Sequence, residues 1–245
     1  MDRLKRIVVD RKWDHNSEPL KVFEGRLRDM ILLLSSTMSQ PKIEDSVKLE
    51  ARKQYIVMLV SCYETYLRDV FKEIITKNLV SIENIKKIRS LRDLKFTIDE
   101  VEYIRNNEIY LSELLAEYVN FQSFEEVFGI FSSWGFDKEL EKRLSLKDGV
   151  MPLPDEEFLR TNPDAGHFII DFFKQIAIHR KIIDKDYMIS KIKSLLEVRH
   201  KIVHKNIDIS ISQEDILELT LSVYEFIMSI ENFVFTLESN SQEII

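Results

Sequence analysis

The sequence predicts an all-α fold. Only 5 of its 245 residues are glycine and 5 are proline, so few tight turns are possible. Long runs rich in Leu, Ile, Glu and Lys repeat their apolar residues at helical spacing, which favours helices over a sandwich or a barrel. Hydrophobic residues make up 44% of the chain, enough for a substantial core. We expect a single domain over residues 1–245, whose C-terminal part, residues 167–238, carries the most informative motif.

Composition excludes several classes of protein. A net charge of −7 argues against non-specific coating of nucleic acid, which depends on an excess of Lys and Arg. The single cysteine, Cys62, cannot form an internal disulfide. The longest apolar stretch, Tyr55–Tyr63, is too short to cross a bilayer. We therefore expect a soluble, cytoplasmic protein with no membrane partner.

The first 79 residues predict two helices. Residues 1–16 have a mixed, basic composition that predicts no defined element. A first helix is expected from a cap at Ser17 to about Ser39. A long second helix is expected from Glu44 to Leu79, and its strongly apolar face predicts a central position.

Arg52 projects onto the apolar side of the second helix. A guanidinium in that position needs a partner, so Arg52 is a candidate contact for an anion such as RNA. The alternative is that its alkyl stem covers apolar surface while the charge reaches solvent.

The middle of the chain predicts shorter helices over Ser81–Leu94, Ile98–Phe121, Ser123–Trp134 and Asp137–Leu144, with Gly135 as a break. Aromatic and apolar residues are concentrated in the third of these predicted helices, Ser123–Trp134, and directly after it. They are Phe124, Val127, Phe128, Phe131, Trp134 and Phe136. Because the neighbouring residues are acidic and carboxylates repel phosphates, we expect this cluster to form core or a dimer interface rather than a surface for stacking bases.

The C-terminal third begins with a predicted loop at about residues 147–166, which holds three prolines and two glycines and is expected to be functional or a boundary. A helix over His167–Arg180 follows. A last helix is predicted from Gln213 to Glu238, capped by Ser212 with Asp215. This helix is apolar on more than one side, so it is either enclosed in the core or dimerises.

The stretch Ser190–Asn206 predicts an amphipathic helix with an arginine on its apolar side. At 100° per residue, Arg199 falls near the centre of an apolar stripe formed by Met188, Ile192, Leu195, Leu196, Ile202 and Val203. A guanidinium there must be met by a carboxylate, by carbonyls or by a phosphate from outside. His200 and His204, one turn apart, flank the stripe.

The segment from His179 to Lys205 holds eight basic and three acidic residues. Such a strip on an acidic protein can hold a polyanion at one place. Equally, it can be a solvated face that docks on acidic helices of the same chain.

The spacing of Arg199 and His204 indicates a functional site only together with the surrounding residues, because an Arg-x4–6-His pair is expected about once by chance in this composition. The context is the apolar stripe, the second histidine and the basic surroundings. His200 and His204 are also spaced to share a metal, but HKIVH lacks the glutamate of HExxH and no third ligand is evident, so we expect no metal site. No glycine-rich phosphate loop and no GxSxG motif occur, and Cys62 within a helix is a poor nucleophile.

The sequence resembles the HEPN superfamily, a group of small helical domains that includes prokaryotic toxins, abortive-infection proteins and RNA-cleaving effectors. RHKIVH at 199–204 fits the R-x4–6-H signature of that superfamily, and the helix containing VMLVSCYETYLRDVF and the final apolar helix fit its order of elements. The resemblance implies a helical bundle of HEPN type, here with extra helices and the long loop.

The resemblance also implies an activity. It implies that the protein is a metal-independent endoribonuclease that needs no cofactor and works as a homodimer. The protein would be a toxin or phage-defence effector that is inhibited by an antitoxin or another regulatory protein. Cleavage by the RNA's own 2′-hydroxyl needs a proton carrier and a fixed cation, roles that suit His204 and Arg199. His200 would be a second proton donor or a phosphate contact. Lys201 and Lys205 would position the RNA backbone.

The alternative belongs to a different class. In it the protein is a non-catalytic helical module for dimerisation or protein interaction, and Arg199 is a structural residue paired with a buried carboxylate.

Overall fold

The computed structural model describes residues 1–10, 18–145, 184–205 and 209–242. Every regular element in these ranges is helical, which confirms the predicted all-α class. The predicted loop at 147–166, the predicted helix His167–Arg180 and the predicted cap at Ser17 lie outside the described residues.

The described helices follow the predicted order, with some predicted helices divided. Their bounds are α1 (Asp2–Asp10), α2 (Pro19–Met38), α3 (Asp45–Thr76), α4 (Ile82–Lys86), α5 (Arg89–Arg92), α6 (Ile98–Asn106), α7 (Leu111–Ala116), α8 (Phe124–Ser133), α9 (Phe136–Ser145), α10 (Lys185–His200) and α11 (Gln213–Gln242). A π-helical turn, Lys201–Lys205, directly follows α10. No described helix combines the length and the apolar character needed to cross a bilayer.

Two predicted helices are each divided by backbone that leaves the helical region. Ile88 has an extended conformation (ψ 117°), which separates α4 from α5 within the predicted Ser81–Leu94 helix. Glu108 has a positive φ of 50°, which ends α6 and separates it from α7 within the predicted Ile98–Phe121 helix. Apolar periodicity continues through both interruptions, so it does not reveal them.

The start of the chain forms a helix that the sequence analysis did not predict. In α1, Leu4 and Ile7 are spaced three residues apart and are both buried. They form one apolar cluster with Ile109 and Leu114. Tertiary packing of this short apolar face, rather than local propensity, explains the helix.

Several predicted helix boundaries are confirmed. The Ser123 hydroxyl accepts a hydrogen bond from the Glu126 backbone N–H at the start of α8. Ser212 and Asp215 bond reciprocally before α11, with Asp215 N to Ser212 Oγ at 3.0 Å and Ser212 N to Asp215 Oδ2 at 2.8 Å. Gly135, with a φ of 105°, separates α8 from α9, as glycine readily does.

The chain groups into two compact units, and each is described separately. The first comprises residues 1–21, 64–139 and 230–245. Its core contains the predicted aromatic cluster, in which Phe131 and Trp134 meet at 5.6 Å between ring centroids and Phe136 meets Phe233 at 5.8 Å. The prediction that this cluster forms core is therefore confirmed.

The second unit comprises residues 22–63 and 140–229. Tyr55, Leu59 and Tyr63 of α3 are almost completely buried in the fold, as their predicted central position requires. The Tyr55 hydroxyl lies 2.9 Å from Thr220 Oγ1 of α11. The predicted single domain over residues 1–245 stays a prediction.

Candidate functional site

Helix α10 presents one buried face that leads to Arg199. The Asp184 side chain caps the helix by accepting a hydrogen bond from Tyr187 N at 2.8 Å. Met188, Ile192 and Leu195 then follow on one face and are fully buried. Arg199 lies four residues after Leu195, at the end of this face, where it is only partly buried. The predicted apolar stripe is confirmed at these three positions, whereas Leu196 and Ile202 are only partly buried.

Beyond His200 the helix changes type. Lys201–Lys205 form a π-helical turn, in which each backbone hydrogen bond spans five residues instead of four. The wider turn changes which side chains face inward, and Val203, predicted on the apolar stripe, is 47% exposed. That part of the prediction was wrong because it assumed a constant 100° per residue. π-helical turns are rare and occur frequently at functional sites.

The surroundings of Arg199 distinguish it from most other cations of α10. Within the described ranges, no carboxylate pairs with its guanidinium and no group accepts a hydrogen bond from it. A partly buried guanidinium keeps its charge and its five donors. Arg199 is therefore able to bind an anion that approaches from solvent.

The two histidines of the motif lie together on the surface. Both side chains are exposed, and their ring centroids are 4.9 Å apart with the planes tilted by 45°. Their contact crosses the junction of α10 and the π-helical turn. Two imidazoles thus lie within five residues of Arg199 along the chain.

Most of the described lysines in the basic strip already have carboxylate partners in the chain. The ion pairs are Lys185 with Glu141 at 3.1 Å, Lys191 with Glu218, and Lys201 with Glu197 at 2.6 Å. For Lys185 and Lys191, whose partners lie on α9 and α11, the structure favours the interpretation of a basic face docked on acidic helices. The pair of Lys201 and Glu197 is largely exposed, so it is worth little and exchanges readily with another anion.

Arg52, the weaker candidate for an anion contact, has a backbone partner. Its Nη1 donates a hydrogen bond to the Ile211 carbonyl oxygen at 3.0 Å, just before the cap of α11. Its Nε is buried and has no hydrogen-bond partner in the part of the chain that the structure describes. The carbonyl meets part of the need for a partner. A role of Arg52 in binding RNA stays a prediction, as does that of Lys205, whose side chain lies outside the description.

Arg143, in contrast to Arg199, has the burial and the carboxylate partner that are expected of a structural arginine. Arg143 of α9 is only 14% exposed, and its Nε lies 3.3 Å from Oε2 of Glu225, which is 2% exposed. Loss of either member of such a pair is costly, because the other charge stays buried and loses this counter-charge. The sequence analysis missed this pair, since 82 residues separate its members and neither belongs to a recognisable motif.

Other chemistry finds little support in the described residues. No group of three or more His, Cys, Asp or Glu side chains is placed to hold a metal ion there. Cys62 is buried, and burial raises the pKa of its thiol. A thiol that resists ionisation is a poor nucleophile, as predicted.

The fold and the motif together define a helical domain with an Arg-x4-His pair at the end of a helix, the arrangement expected of a HEPN domain. The family model of RiboL-PSP-HEPN matches residues 23–235, from α2 to α11 and including the motif. The chain therefore belongs to the RiboL-PSP-HEPN family, which confirms the resemblance drawn from RHKIVH. No curated protein and no solved structure matches the chain significantly.

Proposed function

We propose that this protein is a metal-independent endoribonuclease that cuts RNA through attack by its own 2′-hydroxyl. Membership of a HEPN family favours a nuclease or another RNA-related role. The observation that carries the finer proposal is Arg199, a partly buried guanidinium without an anionic partner in the described ranges, next to two exposed histidines.

The reaction needs two proton transfers and charge stabilisation. The 2′-hydroxyl loses a proton as its oxygen attacks the adjacent phosphorus, and the 5′-oxygen leaves with a proton once the phosphorus–oxygen bond breaks. His204 moves these protons, with His200 as a second donor or a phosphate contact. Arg199 balances the negative charge of the pentavalent phosphorane, a role for a fixed cation in a partly water-excluded position. Lys201 and Lys205, together with Arg52, would contact the RNA backbone.

A homodimer is part of the proposal. One chain supplies one Arg199 and two histidines, whereas a symmetric dimer with its motifs facing each other would present two of each to the RNA. The biological setting we propose is a cytoplasmic toxin or phage-defence effector, restrained by an antitoxin or a regulatory protein.

The second candidate function is a non-catalytic protein-interaction module. The observation that favours it is an apolar groove of about 280 Å³ between α2 and α3. Leu33, Val47 and Met58 line this groove and are exposed. Exposed apolar surface of this kind is typical of contact sites for other proteins.

Cleavage of labelled RNA in excess chelator separates the two functions. We expect wild type to cut and both Arg199→Ala and His204→Ala to lose at least about 100-fold in rate, since positioned acid–base groups and charge stabilisers each contribute that much. Arg92→Ala, which removes an exposed arginine of α5, serves as the matched control and should keep full activity. An inactive wild type would support the interaction module instead.

A further inference from the structure

His200 and His204 form a pair that does more than flank Arg199. Their rings meet across the junction between α10 and the π-helical turn, and both are exposed to solvent. The geometry points to a two-histidine site for Zn²⁺, contrary to the expectation from the sequence that this pair holds no metal, and occupation of the site switches off RNA cleavage. The inhibitory half of this inference rests on the proposed function, whereas the binding site stands on the geometry alone.

The distance between the rings fits a shared metal ion. A Zn–N bond of about 2.05 Å and a ring centre about 1.2 Å behind the nitrogen place each centroid about 3.2 Å from the ion. At a tetrahedral angle, two such centroids lie about 5.2 Å apart. The observed centroid separation is 4.9 Å, so the spacing of the two rings is compatible with one shared ion.

The ligand chemistry and the local charge select the metal. Imidazole nitrogen suits Zn²⁺, while Mg²⁺ and Ca²⁺ prefer carboxylate and carbonyl oxygen. No described carboxylate pairs with Arg199, and the nearby Glu197 is paired with Lys201. The two imidazoles therefore offer nitrogen ligands and no oxygen ligand, which favours Zn²⁺ over Mg²⁺ and Ca²⁺. Two nitrogen ligands make half of a tetrahedral shell, and water molecules can complete it.

Binding of zinc at this pair has a direct chemical consequence. Zinc coordination uses the same imidazole lone pair that would accept a proton during cleavage. An occupied pair therefore cannot carry protons. Zinc would act as an inhibitor of an enzyme that needs no metal, and a chelator would restore activity.

Calorimetric titration of the full-length protein with Zn²⁺ tests the site without any activity measurement. We expect wild type to bind zinc, and His200→Ala and His204→Ala each to bind at least about tenfold more weakly, because a single imidazole cannot chelate. His179→Ala is the matched control, since it removes one imidazole at another position and should bind as wild type does. Absence of binding to wild type, or binding by either motif variant that is as tight as that of wild type, would overturn the inference.

Inhibition is then measured on wild type, with zinc added to chelator-treated enzyme and Mg²⁺ as the comparison ion. The inhibition constant should equal the calorimetric dissociation constant, and Mg²⁺ should leave the rate unchanged. An enzyme that cleaves RNA but neither binds zinc nor is inhibited by it would contradict this inference alone. A protein that binds zinc at the pair but never cleaves RNA would contradict the proposed function and leave the metal site standing.

Discussion

Replacing two arginines by the same residue tests whether Arg199 is structural. In Arg143→Met, the Glu225 carboxylate, 2% exposed and 3.3 Å from the lost Nε, would remain buried and would lose this counter-charge. Removing one member of such a pair typically costs about 3–5 kcal/mol of unfolding free energy. Arg199→Met leaves no described carboxylate unpaired, and methionine retains much of the apolar stem. We expect a cost within about 1 kcal/mol.

Urea unfolding of wild type and the two variants, followed by circular dichroism, provides the comparison. With an unchanged slope, the shift of the midpoint gives the loss of stability. The double variant Arg143→Met/Glu225→Leu serves as the control, and it should recover much of the loss because both buried charges are then absent. If Arg199→Met cost as much as Arg143→Met, a buried anion would already hold Arg199, and the reasoning that leaves it available for RNA would be wrong.

Three further predictions concern the framework around the motif. Ser212→Ala should lower the free energy of unfolding by about 1 kcal/mol, because the Ser212 hydroxyl caps α11 by accepting a hydrogen bond from the Asp215 backbone N–H. Thermal unfolding measures this loss, and an unchanged midpoint temperature would contradict the role of Ser212 as a cap. Tyr55→Phe should cost about 1 kcal/mol in urea unfolding through loss of the 2.9 Å hydrogen bond to Thr220, and no cost would mean that this bond contributes nothing net. Burial raises the pKa of the Glu24 carboxyl above its ordinary 4.5, so the native state binds this proton more tightly than the unfolded state does. Stability should therefore fall as pH rises from 4.5 through the raised pKa, and Glu24→Gln, compared with wild type by urea unfolding at several pH values, should lack that decrease.

Local chemistry explains why much of the fold could be predicted. Gly135 ends a helix because it adopts a positive φ without steric cost, and Ser123 begins one because its hydroxyl satisfies a free backbone N–H. The apolar face of α3 predicted its central position, since 3.6-residue periodicity records which side is buried. These signals depend on residues that are close together in the chain.

Features that depend on distant residues could not be predicted in the same way. The ion pairs of Lys191 with Glu218 and of Arg143 with Glu225 exist only once α9, α10 and α11 are assembled. The π-helical turn likewise has no recognised sequence pattern, and Val203, predicted on the buried stripe, lies on the surface within it. The motif residues could be predicted because the chemistry of Arg199, His200 and His204 is informative when it is combined with their spacing.

The most direct test of the account is the ratio of RNA cleavage rates of wild type and His204→Ala, measured at saturating RNA in excess chelator. A proton-transferring imidazole predicts a ratio of at least about 100, which corresponds to about 2.7 kcal/mol of transition-state stabilisation. His179→Ala, measured alongside, should match wild type. Equal rates for wild type and His204→Ala would contradict the assignment of the chemistry to this motif.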